Sequence, residues 1–97
     1  MEKRVSQKID RDIYNILDWI KYGLRKAQHV VIKVNNSFMT LYPEQRDLTF
    51  DNGNVSRFSE YIAIDYPNRE NALIDYRDIN AIGFYYDDYF DEIIIGD

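Results

Sequence analysis

Seven apolar residues near the N-terminus recur at steps of three and four, and this spacing constrains the fold more than any other feature. They are Ile9, Ile13, Ile16, Leu17, Ile20, Leu24 and Ala27. At 3.6 residues per turn they form one stripe about 100° wide, which predicts an amphipathic helix. With Ser6 as the N-cap, the helix is predicted to span about residues 6–27. Trp19 falls at the edge of the stripe, as a packing residue or as a partner contact.

From residue 29 onward the sequence alternates between short β-prone runs and turn residues. The pair Asn35-Asn36 predicts a two-residue hairpin turn, because asparagine tolerates positive φ. This turn pairs Val34 with Ser37 and Val30 with Leu41. His29, at the junction of helix and strand, is expected to cap the helix or to face water.

Further turn residues predict the rest of a meander. The predicted strand pairs are 47–51 with 54–58 around Asn52-Gly53, 61–66 with 72–76 around residues 67–70, and 81–86 with 90–95. Asp65 and Asp75 fall on one of these hairpins. Because like charges directly opposite one another are destabilising, we expect them to be offset or paired with Arg69 or Arg77.

One helix followed by short strands predicts a single α+β domain over residues 1–97. The amphipathic helix is expected to pack on a curled antiparallel sheet of about five to seven strands, spanning about residues 29–95. Residues 6–86 resemble the Sm-like and SH3-like small barrels in the order of their elements, which implies a small barrel. The Sm-type Gly/Asp/Asn signature is not found between residues 37 and 66, and no functional residue follows from the resemblance.

The net charge of −5 is divided unevenly along the chain. Residues 1–33 hold eight Lys/Arg and four Asp/Glu, whereas residues 34–97 hold four Lys/Arg and thirteen Asp/Glu. An acidic chain argues against direct nucleic-acid binding, which depends on neutralising phosphates, and favours a basic protein as partner. The basic N-terminal residues Lys3, Arg4, Lys8 and Arg11 leave weak nucleic-acid contact as an alternative.

The residue types needed for common catalytic sites are scarce in this chain. It has no cysteine and one histidine, and no Walker loop, Gly-x-Ser-x-Gly or His-Glu-x-x-His motif. The chain is therefore expected not to be an enzyme, and no cofactor or metal is predicted. Since no apolar run approaches the roughly 20 residues of a membrane span, no membrane association is predicted. The absence of cysteine suits a reducing compartment, so the cytoplasm is the predicted location.

The segment 84–92 interleaves acidic with aromatic residues and is the candidate binding surface. The predicted binding residues are Tyr85, Tyr86, Asp87, Asp88, Tyr89, Asp91 and Glu92. Tyrosine offers a large contact area with a polar tip, and carboxylates about 6.8 Å apart along one strand face can imitate a row of phosphates. The alternative is that these rings simply alternate between the core and the surface of a sheet.

These observations predict a non-enzymatic protein-binding module that docks an acidic, tyrosine-rich surface on a basic, nucleic-acid-binding protein. In size and in acid and tyrosine content the chain is similar to small phage-encoded inhibitors that mimic nucleic acid. The alternatives are a small-barrel nucleic-acid-binding protein and an oligomeric structural or assembly protein. For the last of these, the apolar run 93–95 is a candidate edge for pairing in a homodimer.

Overall fold

A computed structural model describes residues 2–3, 7–42, 55–65 and 70–96 of the chain. Its elements in chain order are β1 (Glu2–Lys3), β2 (Gln7–Asp10), α1 (Ile13–Lys26), β3 (His29–Val34), β4 (Ser37–Leu41), β5 (Val55–Phe58), β6 (Tyr61–Ile64), β7 (Ala72–Asp75), β8 (Ile79–Tyr85) and β9 (Tyr89–Gly96). A short 3-10 helix, Tyr76–Asp78, joins β7 to β8. The predicted α+β class is confirmed.

The described strands form two sheets that are mostly antiparallel. The first sheet has the order β1-β9-β8-β3-β4, with β2 beside β1 on the same edge of β9, and the second has the order β5-β6-β7. Only β1 and β2 run parallel to their neighbour, β9. The sheets are curled but do not close into a barrel, so the small barrel implied by the resemblance is not formed.

The predicted start of the helix near residue 6 is wrong, because α1 begins at Ile13. Its N-cap is Asp12, whose carboxylate accepts hydrogen bonds from the backbone N–H groups of Tyr14 (2.8 Å) and Asn15 (3.2 Å). Residues 7–10 instead form β2, which pairs with residues 93–96. Ile9 still packs against the core, as the periodicity requires, but it does so from a strand.

One hydrophobic core joins α1 to both sheets. The helix buries Ile16, Leu17, Ile20, Gly23 and Leu24, and it contacts β3 and β8 of the first sheet and β5 and β6 of the second. The sheets contribute fully buried apolar side chains, among them Val30, Ile32, Val55, Ile62, Ile79 and Ile82. The helix stripe therefore covers one face of the first sheet and leaves the opposite face of β3, β4, β8 and β9 as the outer face.

The hairpin at Asn35-Asn36 is confirmed, with Val34 opposite Ser37, Val30 opposite Leu41, and Asn35 at φ 54°. The pairing of the predicted strands at 61–66 and 72–76 is also confirmed, as β6 with β7. The predicted partner strand 47–51 and its Asn52-Gly53 turn lie outside the described residues. The structure adds a hairpin that the sequence analysis missed, in which β5 pairs with β6 through a turn at Ser59, at φ 57°.

The run Ile93–Ile95 does not form a sheet edge. It lies in β9, which pairs with β8 on one side and with β2 on the other. Both edges of this run, which was predicted as a free edge for homodimer pairing, are therefore hydrogen-bonded within the chain. The homodimer itself stays a prediction.

Candidate functional site

The segment predicted to bind a partner forms the tip of the β8–β9 hairpin, here called the hairpin tip and comprising residues 85–90. The backbone N–H of Tyr86 donates a 2.9 Å hydrogen bond to the carbonyl oxygen of Tyr89, and this bond closes the turn. Asp87 and Asp88 occupy the turn and are exposed. The predicted strands at 81–86 and 90–95 therefore exist, and the two adjacent aspartates lie at their junction.

Aromatic pairs flank the turn on both faces of the hairpin. The rings of Tyr86 and Tyr89 stack with centroids 4.6 Å apart and planes 20° apart. The rings of Tyr85 and Phe90 stack at 5.0 Å and 10°. Because successive side chains on a strand point to opposite faces, these pairs lie on opposite sides of the sheet. Tyr86 belongs to the side that packs against the core, and Tyr85 to the outer face.

The same alternation separates the two strand carboxylates of the predicted site. Asp91 lies opposite Phe84, which is buried beneath the helix, whereas Glu92 lies opposite Gly83 on the outer face. Directly opposed residues share a face, so Asp91 points to the helix side and Glu92 away from it. The seven predicted residues thus do not form one row of carboxylates. They form an exposed acidic turn with one further carboxylate on each face.

The outer face carries an aromatic row that continues from the hairpin tip into β3. The imidazole of His29 stacks on Tyr85, with centroids 4.6 Å apart and planes 10° apart, and it lies 5.3 Å from the ring of Tyr42. Tyr85 is therefore held between His29 and Phe90. His29 was expected to cap the helix or to face water. In the structure its imidazole belongs to this aromatic row, and the residue is partly buried.

Gln28 joins the end of α1 to the acidic turn. Its backbone N–H donates a 2.8 Å hydrogen bond to the carbonyl oxygen of Tyr85, and its side-chain amide donates to a carboxylate oxygen of Asp87. The hairpin tip is therefore anchored to the helix terminus, which fixes the position of Asp87. The last turn of the helix, which ends two residues before Gln28, carries the basic residues Arg25 and Lys26.

The surroundings of Tyr86 raise the pKa of its phenol. Burial raises its pKa above the ordinary value of 10.0, and the nearby Tyr22, Tyr89 and Asp91 raise it further. Asp91 and the helix residue Tyr22 both lie on the core side of the hairpin, where Tyr86 also packs. The neutral phenol keeps its proton as a hydrogen-bond donor throughout the neutral range.

Comparison with protein-family models finds no match, and comparisons with curated proteins and with solved structures find none either. The site must therefore be interpreted from its own geometry. In the part of the chain that the structure describes, no three His, Asp or Glu side chains are grouped so as to hold a metal ion. None of the helices described combines the length and apolar character of a membrane span.

The pairing predicted for Asp75 is confirmed, because its carboxylate binds the guanidinium of Arg77 through two hydrogen bonds of 2.9 Å and 2.7 Å. Three residues in or against the hairpin tip were missed as site residues: Phe90, His29 and Gln28. The register of β8 with β9 would have identified Phe90, since a turn at 87–88 places it near Tyr85. The contacts of His29 with Tyr85 and of Gln28 with Asp87 join segments more than 50 residues apart in sequence, and no local pattern indicates them.

Proposed function

We propose that the protein is a non-enzymatic protein-binding module that docks its hairpin tip on a basic partner. The observation that carries this proposal is the placement of Asp87 and Asp88, both exposed, between two stacked aromatic pairs. Carboxylates in this position attract a basic surface and steer its approach. The flanking rings supply contact area with few rotatable bonds, which is the role of tyrosine in many interfaces.

The orientation of the rings favours a protein partner over single-stranded nucleic acid. A base binds an aromatic side chain by stacking on an open ring face. Both faces of Tyr85 are covered, one by His29 and the other by Phe90. Stacked rings present their edges outward. The hairpin tip and the aromatic row therefore form a ridge of ring edges against which a protein surface can pack. The net charge of −5 also opposes phosphate binding.

A shift-mapping experiment tests this proposal directly. The ¹⁵N-labelled full chain is titrated with an arginine-rich peptide at low and at physiological salt. The amides of residues 85–90 should shift, and the affinity should fall with salt because exposed charges are screened. The double substitution Asp87→Asn with Asp88→Asn should weaken binding about three- to tenfold, in line with the strength of exposed ion pairs.

A matched control removes the same charge elsewhere. Asp10 on β2 and Glu70 just before β7 are exposed carboxylates, and changing them to Asn and Gln alters the net charge by the same amount. The control should bind as the wild type does. If both double variants lose equal affinity, the peptide senses only net charge and the proposed site is wrong. Capture of a cellular partner by the wild type but not by the tip variant would then identify the natural ligand.

A nucleic-acid-binding protein is the second candidate, and one observation favours it. Phe38 on the outer face is 70% exposed and lies directly opposite Lys33 across the β3–β4 pair. An open ring beside a cation suits one stacked base and its phosphate. Titration with single- and double-stranded oligonucleotides at low salt separates the candidates, because the first proposal requires no binding at tens of micromolar.

The wider setting of this module is part of the same proposal. A small acidic protein that occupies a basic surface would compete with nucleic acid for that surface, as an inhibitor of a nucleic-acid-binding protein does. A cytoplasmic location and a phage or mobile-element origin fit such a role. Competition between the captured partner's nucleic acid and this protein would support the inhibitor function, and simultaneous binding of both would contradict it.

A further inference from the structure

A cavity of about 230 Å³ lies beside the hairpin tip, between α1 and β9. It is lined by three aromatic residues, Trp19, Tyr22 and Phe84, and by Gln7, Asp91, Glu92 and Ile93, of which Glu92 directs its side chain to the outer face. The helix supplies Trp19 and Tyr22, while β8 and β9 supply Phe84 and Asp91. The cavity therefore combines ring surfaces with a carboxylate, and no described residue lining it carries a positive charge.

The three rings form a cluster with steep angles between two of its three pairs. Trp19 and Tyr22 lie 5.4 Å apart at 78°, and Tyr22 and Phe84 lie 6.2 Å apart at 78°. Trp19 and Phe84 are also 6.2 Å apart, at 36°. Phe84 is 2% exposed and Tyr22 is 37% exposed, so the cluster extends from the core to the surface. The face of an aromatic ring carries negative potential, so the rings that line the cavity attract a cation.

Asp91 supplies formal negative charge on the same side of the sheet. It lies directly opposite Phe84, so both side chains point toward the helix. The carboxylate also acts on its surroundings, since it contributes to raising the pKa of the neighbouring Tyr86. Asp18, one helical turn before Tyr22, adds a further exposed carboxylate on the helix.

We propose that this cavity binds an organic cation of the guanidinium or alkylammonium class, with Trp19 and Tyr22 beside the cation, Phe84 at the base of the cavity and Asp91 as the counter-ion. Aromatic faces next to a carboxylate are the surroundings that such cations select. The volume is below the roughly 300 Å³ at which sites for drug-sized ligands begin, so the cavity suits the head group of one side chain. Within the proposed function this cation is an arginine or lysine of the basic partner, and that assignment rests on the proposed function. Binding of a free cation does not.

The single tryptophan of the chain gives a direct reporter, because Trp19 lines the cavity. The ¹⁵N-labelled full chain is titrated with acetyl-arginine-amide and, separately, with tetramethylammonium chloride, while the indole N–H resonance of Trp19 is followed. The neutral isostere acetyl-citrulline-amide is the matched control ligand. We expect saturable shifts with a Kd of about 1 mM for the arginine derivative, in line with the affinity that small ligands reach per atom. Citrulline should bind at least about tenfold more weakly.

Substitutions separate the counter-ion from the rings. Asp91→Asn keeps the size of the side chain and should weaken arginine binding about three- to fivefold, whereas Asp10→Asn, on exposed β2, should leave the Kd unchanged. Tyr22→Leu keeps an apolar side chain but removes a ring, and should weaken binding of both cations. If the Trp19 resonance does not move, if citrulline binds as tightly as arginine, or if Asp91→Asn titrates as the wild type does, the proposal is overturned.

Failure of the cation cavity can be distinguished from failure of the hairpin tip as the docking site. Loss of peptide binding in the Asp87/Asp88 double variant, together with no response of Trp19 to free cations, would retain the docking site and reject the cation cavity. Saturable binding of free cations, together with an unaffected double variant, would retain the cavity and reject the hairpin tip as the docking site.

Discussion

The guanidinium of Arg11 donates a 2.8 Å hydrogen bond to the backbone carbonyl of Ile79, 68 residues away. The same nitrogen lies 3.0 Å from the carbonyl oxygen of Arg77 and 3.2 Å from that of Tyr76. These carbonyls lie in and just after the 3-10 helix that connects the second sheet to β8 of the first. Arg11 therefore ties the start of α1 to the joint between the two sheets.

Replacing Arg11 with Ala should lower the free energy of unfolding by about 1–3 kcal/mol, because carbonyls at a partly buried joint lose a charged donor. Arg11→Lys should lower the free energy of unfolding by less than Arg11→Ala does, but it should not match the wild type, since an ammonium group lacks the planar array of donors. Urea denaturation followed by circular dichroism measures the difference. Arg25→Ala, on the exposed helix surface, is the control and should cost about 0.5 kcal/mol or less. If Arg11→Ala and Arg25→Ala lowered the free energy of unfolding equally, the hydrogen bonds of Arg11 would not stabilise the connection between the two sheets.

Gly23→Ala should destabilise the protein although alanine favours helix. A Cβ atom at Gly23 would lie 2.4 Å from two ring carbons of Phe84 and 2.8 Å from Cγ2 of Val30. Overpacking of this kind costs about 1–3 kcal/mol, which exceeds the gain of roughly 1 kcal/mol in helix propensity. The melting temperature should therefore fall.

Gly83→Ala provides the comparison for Gly23→Ala. The nearest atom to a Cβ at Gly83 is Cε1 of Tyr85, at 3.4 Å, which is ordinary contact. We expect a change between zero and about 1 kcal/mol of stabilisation, because alanine restricts the unfolded chain. If Gly23→Ala proved as stable as Gly83→Ala, the close approach of α1 to Phe84 would be wrong.

The carboxylate of Asp75 should show a strongly depressed pKa. Its hydrogen bonds with the side chain and the backbone of Arg77 lower that pKa from 3.8 to about 2. A depressed pKa contributes stability that is fully present above about pH 4 and is lost as the pH falls through about 2. The difference in unfolding free energy between wild type and Asp75→Asn should therefore shrink from pH 4 to pH 2.

The cause of this depression can be checked separately by NMR titration of the Asp75 carboxyl group. In Arg77→Gln the pKa of Asp75 should return toward 3.8, because the charged donor is gone. Glu60 also lies within 3.0 Å of the Arg77 guanidinium, but it is not a donor to Asp75. A pKa of Asp75 that stays near 2 in Arg77→Gln would assign the depression to another group.

Tyr86 should destabilise the fold at high pH. Its pKa is raised, chiefly by burial, so the folded state favours the neutral phenol. The contribution of this group is fully present below pH 10 and is lost as the pH rises through the elevated pKa of the folded state. Unfolding free energies of the wild type should fall more steeply above pH 10 than those of Tyr86→Phe. A ¹³Cζ titration midpoint for Tyr86 at or below 10 would refute this.

The start of α1 differs from the predicted start for a specific physical reason. Ser6 and Asp12 are both residue types that cap helices, and Ile9 continues the apolar stripe, so local evidence could not decide where α1 begins. The helix begins later because residues 7–10 form β2, which pairs with residues 93–96. Local periodicity carries no information about a partner that far away. The Asn35-Asn36 hairpin, by contrast, depends on adjacent residues and was predicted with the correct register.

The candidate site was predicted in composition but not in arrangement. Acid and tyrosine in residues 84–92 do form an exposed turn with stacked rings. The row of carboxylates fails because Asp91 and Glu92 are consecutive, and consecutive residues on a strand face opposite ways. That conclusion was available from the sequence alone. The cavity beside Trp19 was not, because it depends on how α1 packs across β8 and β9.

The parallel pairing of β2 with β9 has a consequence for the order in which the protein assembles. β9 is synthesised after every other described element, yet β1, β2 and β8 all hydrogen-bond to it. Until β9 emerges from the ribosome, β8 has an unsatisfied edge and the N-terminal strands have no partner. Strands β1 and β2 therefore join the first sheet only after β9 is available, although they precede α1 in the chain.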